Sequence, residues 1–166
     1  MIVDASVAVK WVVFEDGSEQ ALDLLGRDLA APTIWLAEAS NALRTKCARG
    51  EISEDEASEF ALDLADAPVA PLALKDLLPV AMRMALDLKH ATYDCFYLAA
   101  ALRKDTKLVT ADRRLLTKAA AHPYLAGRAI MLGGCPEVIP QPRAARRARL
   151  RPDGGSPGTA RRSGAR

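Results

Sequence analysis

The amino-acid sequence predicts a layered α/β fold with a central, mainly parallel sheet. The chain of 166 residues is long enough for one domain with its own hydrophobic core. Half of its residues are apolar, and short apolar runs alternate along it with segments of helical periodicity. Strands that alternate with helices in this way are typical of layered α/β domains, whose strands run parallel.

The strand and helix candidates follow one another along the chain. The strand candidates are apolar runs at residues 1–3, 30–33, 69–72, 107–110 and 128–132. Helical periodicity predicts helices at residues 6–14, 18–29, 34–49, from 53 onward, 75–88, 94–104 and 112–121. The run at 94–104 is almost wholly apolar after its first residue, so it is predicted to be a buried helix. Its Phe96 and Tyr97 are expected in the core or in a dimer interface.

Capping residues support several of these helix boundaries. Ser18 is a favoured N-cap residue, and Gly50 stands where a helix C-terminus favours glycine. Ser53 and Glu56 have the spacing of a capping box, in which each side chain bonds to the backbone N–H of the other. These signals predict helix starts at 18 and 53 and a helix end at 50.

The chain divides into a domain at residues 1–135 and a tail at residues 136–166. The tail is rich in Pro, Gly, Ser and Arg and lacks apolar periodicity, so it is predicted to be a disordered extension. Residues 143–166 carry eight arginines and one acidic residue, a balance of +7, whereas the rest of the chain has a balance of −5. The tail arginines either contact RNA phosphates non-specifically or only make the chain more soluble.

Composition argues against several classes of protein. No apolar run approaches the length of about 20 residues that spans a bilayer, so no membrane association is expected. Charged residues interrupt the apolar N-terminus and no small-residue cleavage site follows, which argues against a signal peptide. Cys47, Cys95 and Cys135 form neither an even set nor a metal-ligand spacing, which is typical of reduced thiols in a cytoplasmic protein.

Four acidic residues are expected to meet at one end of the sheet: Asp4, Glu38, Asp94 and Asp112. Asp4 and Asp112 come directly after strands, and parallel sheets place their ligand sites at the carboxyl ends of strands. Glu38 lies in the first turns of a helix, and Asp94 opens the buried helix. Each acid alone also has a structural explanation, because aspartate is a favoured N-cap and Glu38 fits an exposed helix position.

Four carboxylates at one edge repel one another unless a cation lies between them. Hard oxygen ligands suit Mg²⁺ or Mn²⁺, so the acids predict a site for one of these ions. Zinc is disfavoured, because His90 and His122 lack ligand spacing and no cysteine pair assists them. Neither histidine has an evident partner in the sequence, so neither is a candidate general base.

Four segments that each contain one of these acids resemble the motifs of a known family. They are IVDASVAVKW, AEASNALR, YDCFYLAAAL and LVTADRRLL. In order and spacing they resemble the PIN-domain family over about residues 1–132, and in particular the VapC toxins of bacterial toxin–antitoxin pairs. The resemblance implies a PIN-like three-layer α/β/α sandwich and a magnesium- or manganese-dependent endoribonuclease that cuts structured RNA such as tRNA or rRNA. It also implies a homodimer and a cognate antitoxin protein that reaches into the active site.

The resemblance assigns the catalytic and metal-binding roles to the same four acids. Asp4 and Asp94 would be the direct ligands of a first metal ion. Glu38 and Asp112 would complete the cluster directly or through water. Some relatives have an additional acid near the last motif, where this chain has arginines, so the choice between one and two ions stays open.

Neighbouring residues have further roles by resemblance or by position. The family's small hydroxyl residue after the first acid corresponds to Ser6, and its threonine before the last acid corresponds to Thr110. Both would orient a ligand or a water, unless they only cap the chain locally. Arg113 and Arg114 follow the last acid and are candidates for contacts to RNA phosphates; alternatively, they are solvated helix residues. Lys10 is a weaker candidate for the same kind of contact.

Three other functions stay open at this point. A phosphatase of the haloacid dehalogenase kind also has an aspartate after its first strand. It normally needs a second aspartate two positions later, where this chain has Ser6. A catalytically inactive PIN-like binding module would keep the fold without turnover. A housekeeping RNA-processing nuclease would share the chemistry without being a toxin.

Overall fold

The computed structural model describes residues 1–134, which form five strands and seven helices. In chain order these are β1 (Ile2–Val3), α1 (Ala5–Val12), α2 (Ser18–Leu24), β2 (Leu29–Pro32), α3 (Trp35–Ala48), α4 (Glu54–Ala65), β3 (Val69–Leu72), α5 (Leu74–Leu88), α6 (Thr92–Arg103), β4 (Leu108–Thr110), α7 (Arg113–Ala121) and β5 (Ala129–Met131). Every predicted strand and helix is present. The largest difference is at α2, which ends five residues before the predicted boundary because Leu29 pairs with Val69 in the sheet.

The five strands form one parallel sheet in the order β3-β2-β1-β4-β5. β1 is central, and Ile2 pairs with both Ala30 of β2 and Leu108 of β4. α1 packs against α2, α3 and α4, whereas α5 packs against α6. Because parallel strands are joined by right-handed crossovers, α1–α4 cover one face of the sheet and α5–α7 cover the other. The predicted three-layer α/β/α fold is confirmed.

The core surrounds the central strands, whose residues are almost wholly buried. α6 packs against β2, β1 and β4, and every residue from Cys95 to Ala101 is buried, which confirms the predicted buried helix. β3 forms one edge of the sheet. Its Pro71 is exposed there, where a missing N–H removes no bond from the interior of the sheet.

The helix starts predicted at residues 18 and 53 are both observed, but the predicted cap is correct only at the second. Ser53 and Glu56 form the predicted capping box at the start of α4. Ser18 is not the N-cap of α2. That position is taken by Gly17, whose φ of 85° favours glycine. Ser18 instead accepts a hydrogen bond at 2.9 Å from the backbone N–H of Glu15, which fixes the loop before the helix.

The predicted tail at residues 136–166 and Cys135 lie outside the described residues. Within residues 1–134, Cys47 and Cys95 are free thiols. Burial raises the pKa of the Cys95 thiol to about 11, which is typical of an unreactive core side chain. In the same part of the chain, no helix combines the length and the apolar character that crossing a membrane requires.

Candidate active site

The four predicted acids line one cavity at the carboxyl ends of the central strands. Asp4 directly follows β1, and Asp112 follows β4. Glu38 lies in the first turn of α3 and Asp94 in the first turn of α6. The cavity has a volume of about 370 Å³. The structure therefore brings together four side chains that are far apart in the sequence.

The capping explanation holds for two of the acids. Asp4 is the N-cap of α1, and Asp112 is the N-cap of α7. Asp112 accepts hydrogen bonds from the backbone N–H groups of Arg114 at 2.7 Å and Leu115 at 3.3 Å. Asp94 was expected to open its helix, but α6 begins earlier and its N-cap position is not Asp94. The cap geometry fixes Asp4 and Asp112 at the cavity and leaves Asp94 without a structural role of that kind.

Asp4 is the most deeply buried of the four carboxylates, with 6% of its surface exposed. Burial raises its pKa from 3.8 to about 6, although hydrogen bonds from Ser6, Thr110 and the backbone N–H of Val7 act in the opposite direction. A carboxylate exposed to solvent would stay near its ordinary pKa. Asp4 therefore has an unusual environment, in which its charge is poorly solvated.

Ser6 and Thr110 connect Asp4 to the segment that carries Asp112. Ser6 Oγ donates to Asp4 Oδ1 at 2.6 Å and accepts from the backbone N–H of Ala111 at 3.0 Å. Thr110, which is fully buried, hydrogen-bonds to Asp4 and accepts from the backbone N–H of Asp112 at 2.9 Å. Each hydroxyl thus holds two acid-bearing segments at a fixed separation. Both hydroxyls lie beside Asp4, and their role in orienting a metal ligand or a water stays a prediction.

Glu38 has a partner that the sequence did not reveal. The hydroxyl of Tyr97 donates a short hydrogen bond to Glu38 Oε2. Burial raises the pKa of Glu38, the Tyr97 hydrogen bond lowers it, and the charges of Asp94 and Asp4 raise it again, with a net increase. The pKa of Tyr97 is raised far above its ordinary value by burial and by this contact, so the hydroxyl remains a donor. Tyr97 belongs to the core as expected, and it also lines the acidic cavity.

His90 contacts Asp94, which corrects the expectation that neither histidine has a partner. His90 Nε2 lies 2.7 Å from Asp94 Oδ2, a close approach without the alignment of a good hydrogen bond. Burial raises the pKa of Asp94, the charge of His90 lowers it, and the charge of Asp112 raises it, with a net increase. The spacing of four residues was a sequence signal for this pair, because residues four apart near a helix terminus can meet.

The donor chemistry of the cavity suits a hard divalent cation. Among residues 1–134, the polar contacts of Glu38, Asp94 and Asp112 go to one oxygen of each carboxylate, so the other oxygen is available to a ligand. As the side chains stand, no three His, Cys, Asp or Glu groups in residues 1–134 are close enough together to hold a metal ion. Binding would therefore require the carboxylates to turn toward one another. Mg²⁺ keeps several waters and is usually bound through only one or two carboxylates, so not all four acids need to contact it directly.

The predicted phosphate contacts lie beside the acidic cavity and do not line it. Arg113 and Arg114 occupy the first turn of α7, directly after Asp112, and both are exposed. They line a neighbouring depression of about 510 Å³ together with His90 and Lys118. Cations at a helix N-terminus gain nothing from the helix dipole, so these arginines do not stabilise α7 by that interaction.

Comparisons with known proteins agree with this fold. Residues 1–121 match the family model described as the PIN domain. Ribonuclease VapC3 of Pyrobaculum aerophilum is 33% identical over 122 residues, which cover 71% of this chain and 93% of that protein. The crystal structure of PAE2754 from the same organism aligns with a TM-score of 0.57 and 25% identity, over 80% of this chain and 83% of the other. A toxin–antitoxin complex from Klebsiella pneumoniae aligns with a TM-score of 0.57 over 78% of this chain and 94% of the other, and at 14% identity it shows the fold alone.

Proposed function

The chain belongs to the PIN-domain family, and on that basis we propose that it is a divalent-metal-dependent endoribonuclease, a hydrolase of RNA phosphodiester bonds. The observation that carries the proposal is the single cavity lined by the four acids at the carboxyl ends of β1 and β4. Burial and mutual repulsion raise the pKa of Glu38 and Asp94. Such a group of carboxylates is unfavourable without a cation and favourable with one. The similarity to a protein named as a ribonuclease supports the choice of RNA as the substrate.

The proposed cation is Mg²⁺ or Mn²⁺. Asp4 and Asp94 would bind it directly, and Glu38 and Asp112 would complete the site directly or through water. When bound, the ion would lower the pKa of a water molecule and neutralise charge that develops on the phosphate.

The protein's own contribution is to hold the acids in place. Ser6 and Thr110 fix Asp4 relative to the end of β4, and Tyr97 fixes Glu38. His90 Nε2 lies against Asp94 Oδ2, and Asp94 lines the cavity. Neighbours that orient metal-binding side chains typically change metal affinity or activity by about 10- to 100-fold when they are removed. Arg113 and Arg114 are proposed to bind phosphates of the RNA beside the cleaved bond.

The proposed biological role is that of the toxin in a type II toxin–antitoxin pair that acts in the cytoplasm on tRNA or rRNA. A cognate antitoxin and a second copy of the chain are the proposed protein partners. An exposed apolar row on α5, formed by Leu78, Met82 and Leu86 at successive turns, offers surface for such a partner. Expression of the wild-type chain and of Asp4→Asn in a bacterial host separates a toxin from a housekeeping nuclease, because only a toxin stops growth in a manner that depends on Asp4.

The decisive experiment measures RNA cleavage by the purified protein. We expect cleavage of tRNA or rRNA in Mg²⁺ or Mn²⁺, loss of cleavage in EDTA, and recovery when the metal is restored. Asp94→Asn should abolish cleavage, while Asp28→Asn, a change in an exposed acid at the opposite end of the sheet, should not. Cleavage that persists in EDTA or in Asp94→Asn would refute the metal mechanism. Hydrolysis of a small phosphomonoester by the wild type would favour the phosphatase alternative instead, and a fully folded wild type without any cleavage would favour the binding module.

A further inference from the structure

The acidic cavity has a basic wall that the four acids do not explain. Lys10 of α1, Lys46 of α3 and Glu15 of the loop between α1 and α2 line the same cavity. Lys10 Nζ lies 2.6 Å from Glu15 Oε1, and Lys46 Nζ lies 2.5 Å from Glu15 Oε2. One carboxylate therefore bridges two ammonium groups at the edge of the proposed catalytic centre.

The two lysines are held at the cavity and do not extend into solvent. Their side chains are only 13% and 19% exposed, which is low for lysine. An ammonium group has three N–H donors. Lys10 uses a second donor on the backbone carbonyl of Asp16 at 2.9 Å, and Lys46 uses one on Glu51 at 3.0 Å. Counted over residues 1–134, each lysine keeps one donor for a further acceptor.

Glu15 differs from the other acids of the cavity. Burial raises the pKa of Glu15, but the adjacent Lys10 and Lys46 lower it, and the net change is a decrease. Its charge is thus already neutralised within the protein, so it is not a candidate for the metal site. Lys10 and Lys46 bind the two oxygens of one carboxylate, and in the same arrangement they could bind two oxygens of one phosphate.

We propose that Lys10 and Lys46 bind a phosphate of the RNA strand next to the cleaved bond, and that Glu15 occupies this position in the free protein and competes with the phosphate. This inference rests on the proposed function. RNA carries one negative charge per nucleotide, so a strand that approaches four carboxylates needs cationic contacts beside them. Lys10 and Lys46 line the acidic cavity itself, whereas Arg113 and Arg114 line the neighbouring depression with His90, which contacts Asp94. An RNA strand held by both basic groups would therefore pass the acidic cluster.

The test compares substitutions that have opposite expected signs. The variants are Lys10→Gln, Lys46→Gln and Glu15→Gln, with Lys107→Gln as the matched control, an exposed lysine at the other end of the sheet. Binding of labelled tRNA and of a short single-stranded RNA is measured by fluorescence anisotropy in EDTA over a range of salt concentrations. Cleavage of the same RNAs is measured separately in Mg²⁺.

We expect each lysine variant to bind RNA about tenfold more weakly, with a salt dependence reduced by about 0.7 in the log–log slope. Glu15→Gln should bind RNA more tightly than the wild type, because it frees both ammonium groups. Lys10→Arg and Lys46→Arg should retain binding, and Lys107→Gln should behave as the wild type.

A purely structural ion-pair cluster gives a different result. In that case Glu15→Gln would weaken RNA binding together with the lysine variants, in proportion to their loss of thermal stability, and the salt slope would not change. That outcome would overturn the proposed phosphate subsite, and so would RNA binding by both lysine variants as tight as that of the wild type. In either case, RNA cleavage by the wild-type protein would still support the proposed nuclease function. A wild-type protein that neither binds nor cuts RNA overturns both proposals.

Discussion

Replacement of Asp4 by asparagine should stabilise the metal-free fold while it abolishes RNA cleavage. Asp4 is 6% exposed, and its burial is the main reason that its pKa lies above the ordinary value. Asparagine has nearly the same shape and keeps an oxygen that can accept the hydrogen bond from Ser6 Oγ. The substitution therefore removes the poorly solvated charge with little change in packing.

The size of the effect follows from the pKa. Folding raises the pKa of Asp4 from 3.8 to about 6, and each pKa unit corresponds to about 1.4 kcal/mol. Well below pH 3.8 the carboxyl is protonated in both states and does not lower the free energy of unfolding. As the pH rises through 3.8 to 6, the unfolded chain ionises first, so the free energy of unfolding falls. Above pH 6 the loss is complete at about 3 kcal/mol, and Asp4→Asn should recover most of it.

The assay is equilibrium unfolding of both proteins by denaturant in EDTA, near pH 7.5 and again near pH 4.5. Asp4→Asn should be more stable at the higher pH, and the difference should shrink at the lower one. Addition of Mg²⁺ should stabilise the wild type selectively, because only its folded state has the complete acid set. If Asp4→Asn is no more stable than the wild type in EDTA, or if the difference is independent of pH, the argument from a buried, destabilising charge is wrong.

Three further predictions concern residues around and outside the cavity. Tyr97→Phe should raise the Mg²⁺ concentration for half-maximal cleavage by about tenfold, because Glu38 loses its donor; a loss of stability without this shift would make Tyr97 a core residue only. Ser53→Ala should lower the free energy of unfolding by about 1 kcal/mol through loss of the capping box and leave cleavage rates unchanged, and slower cleavage by the folded variant would contradict this. Truncation after Pro142 should preserve cleavage, so inactivity of the folded, shortened chain would show that the arginine-rich tail takes part.

Local patterns in the sequence were sufficient for the secondary structure and for the position of the acids along it. Apolar runs and helical periodicity predicted all of the strands and helices. When one face of a helix or strand is buried, apolar residues recur along the sequence with the period of that element. The capping box of Ser53 and Glu56 was predictable because its partners are three residues apart. The convergence of Asp4 and Asp112 followed from a general property of parallel sheets, whose strand ends meet at one edge.

The fold class and the meeting of the four acids could thus be predicted from sequence patterns, whereas the individual contacts of the acids depend on the assembled layers. Tyr97 meets Glu38 across 59 positions, and Lys46 meets Glu15 across 31. Such pairs depend on how far each helix is rotated and shifted against its neighbours, and that is set by packing of the whole core. Periodicity identifies which face of a helix is buried, but it does not identify the helix or strand that packs against that face. The partners of the acids, and the basic wall beside them, therefore emerge only when the layers are assembled.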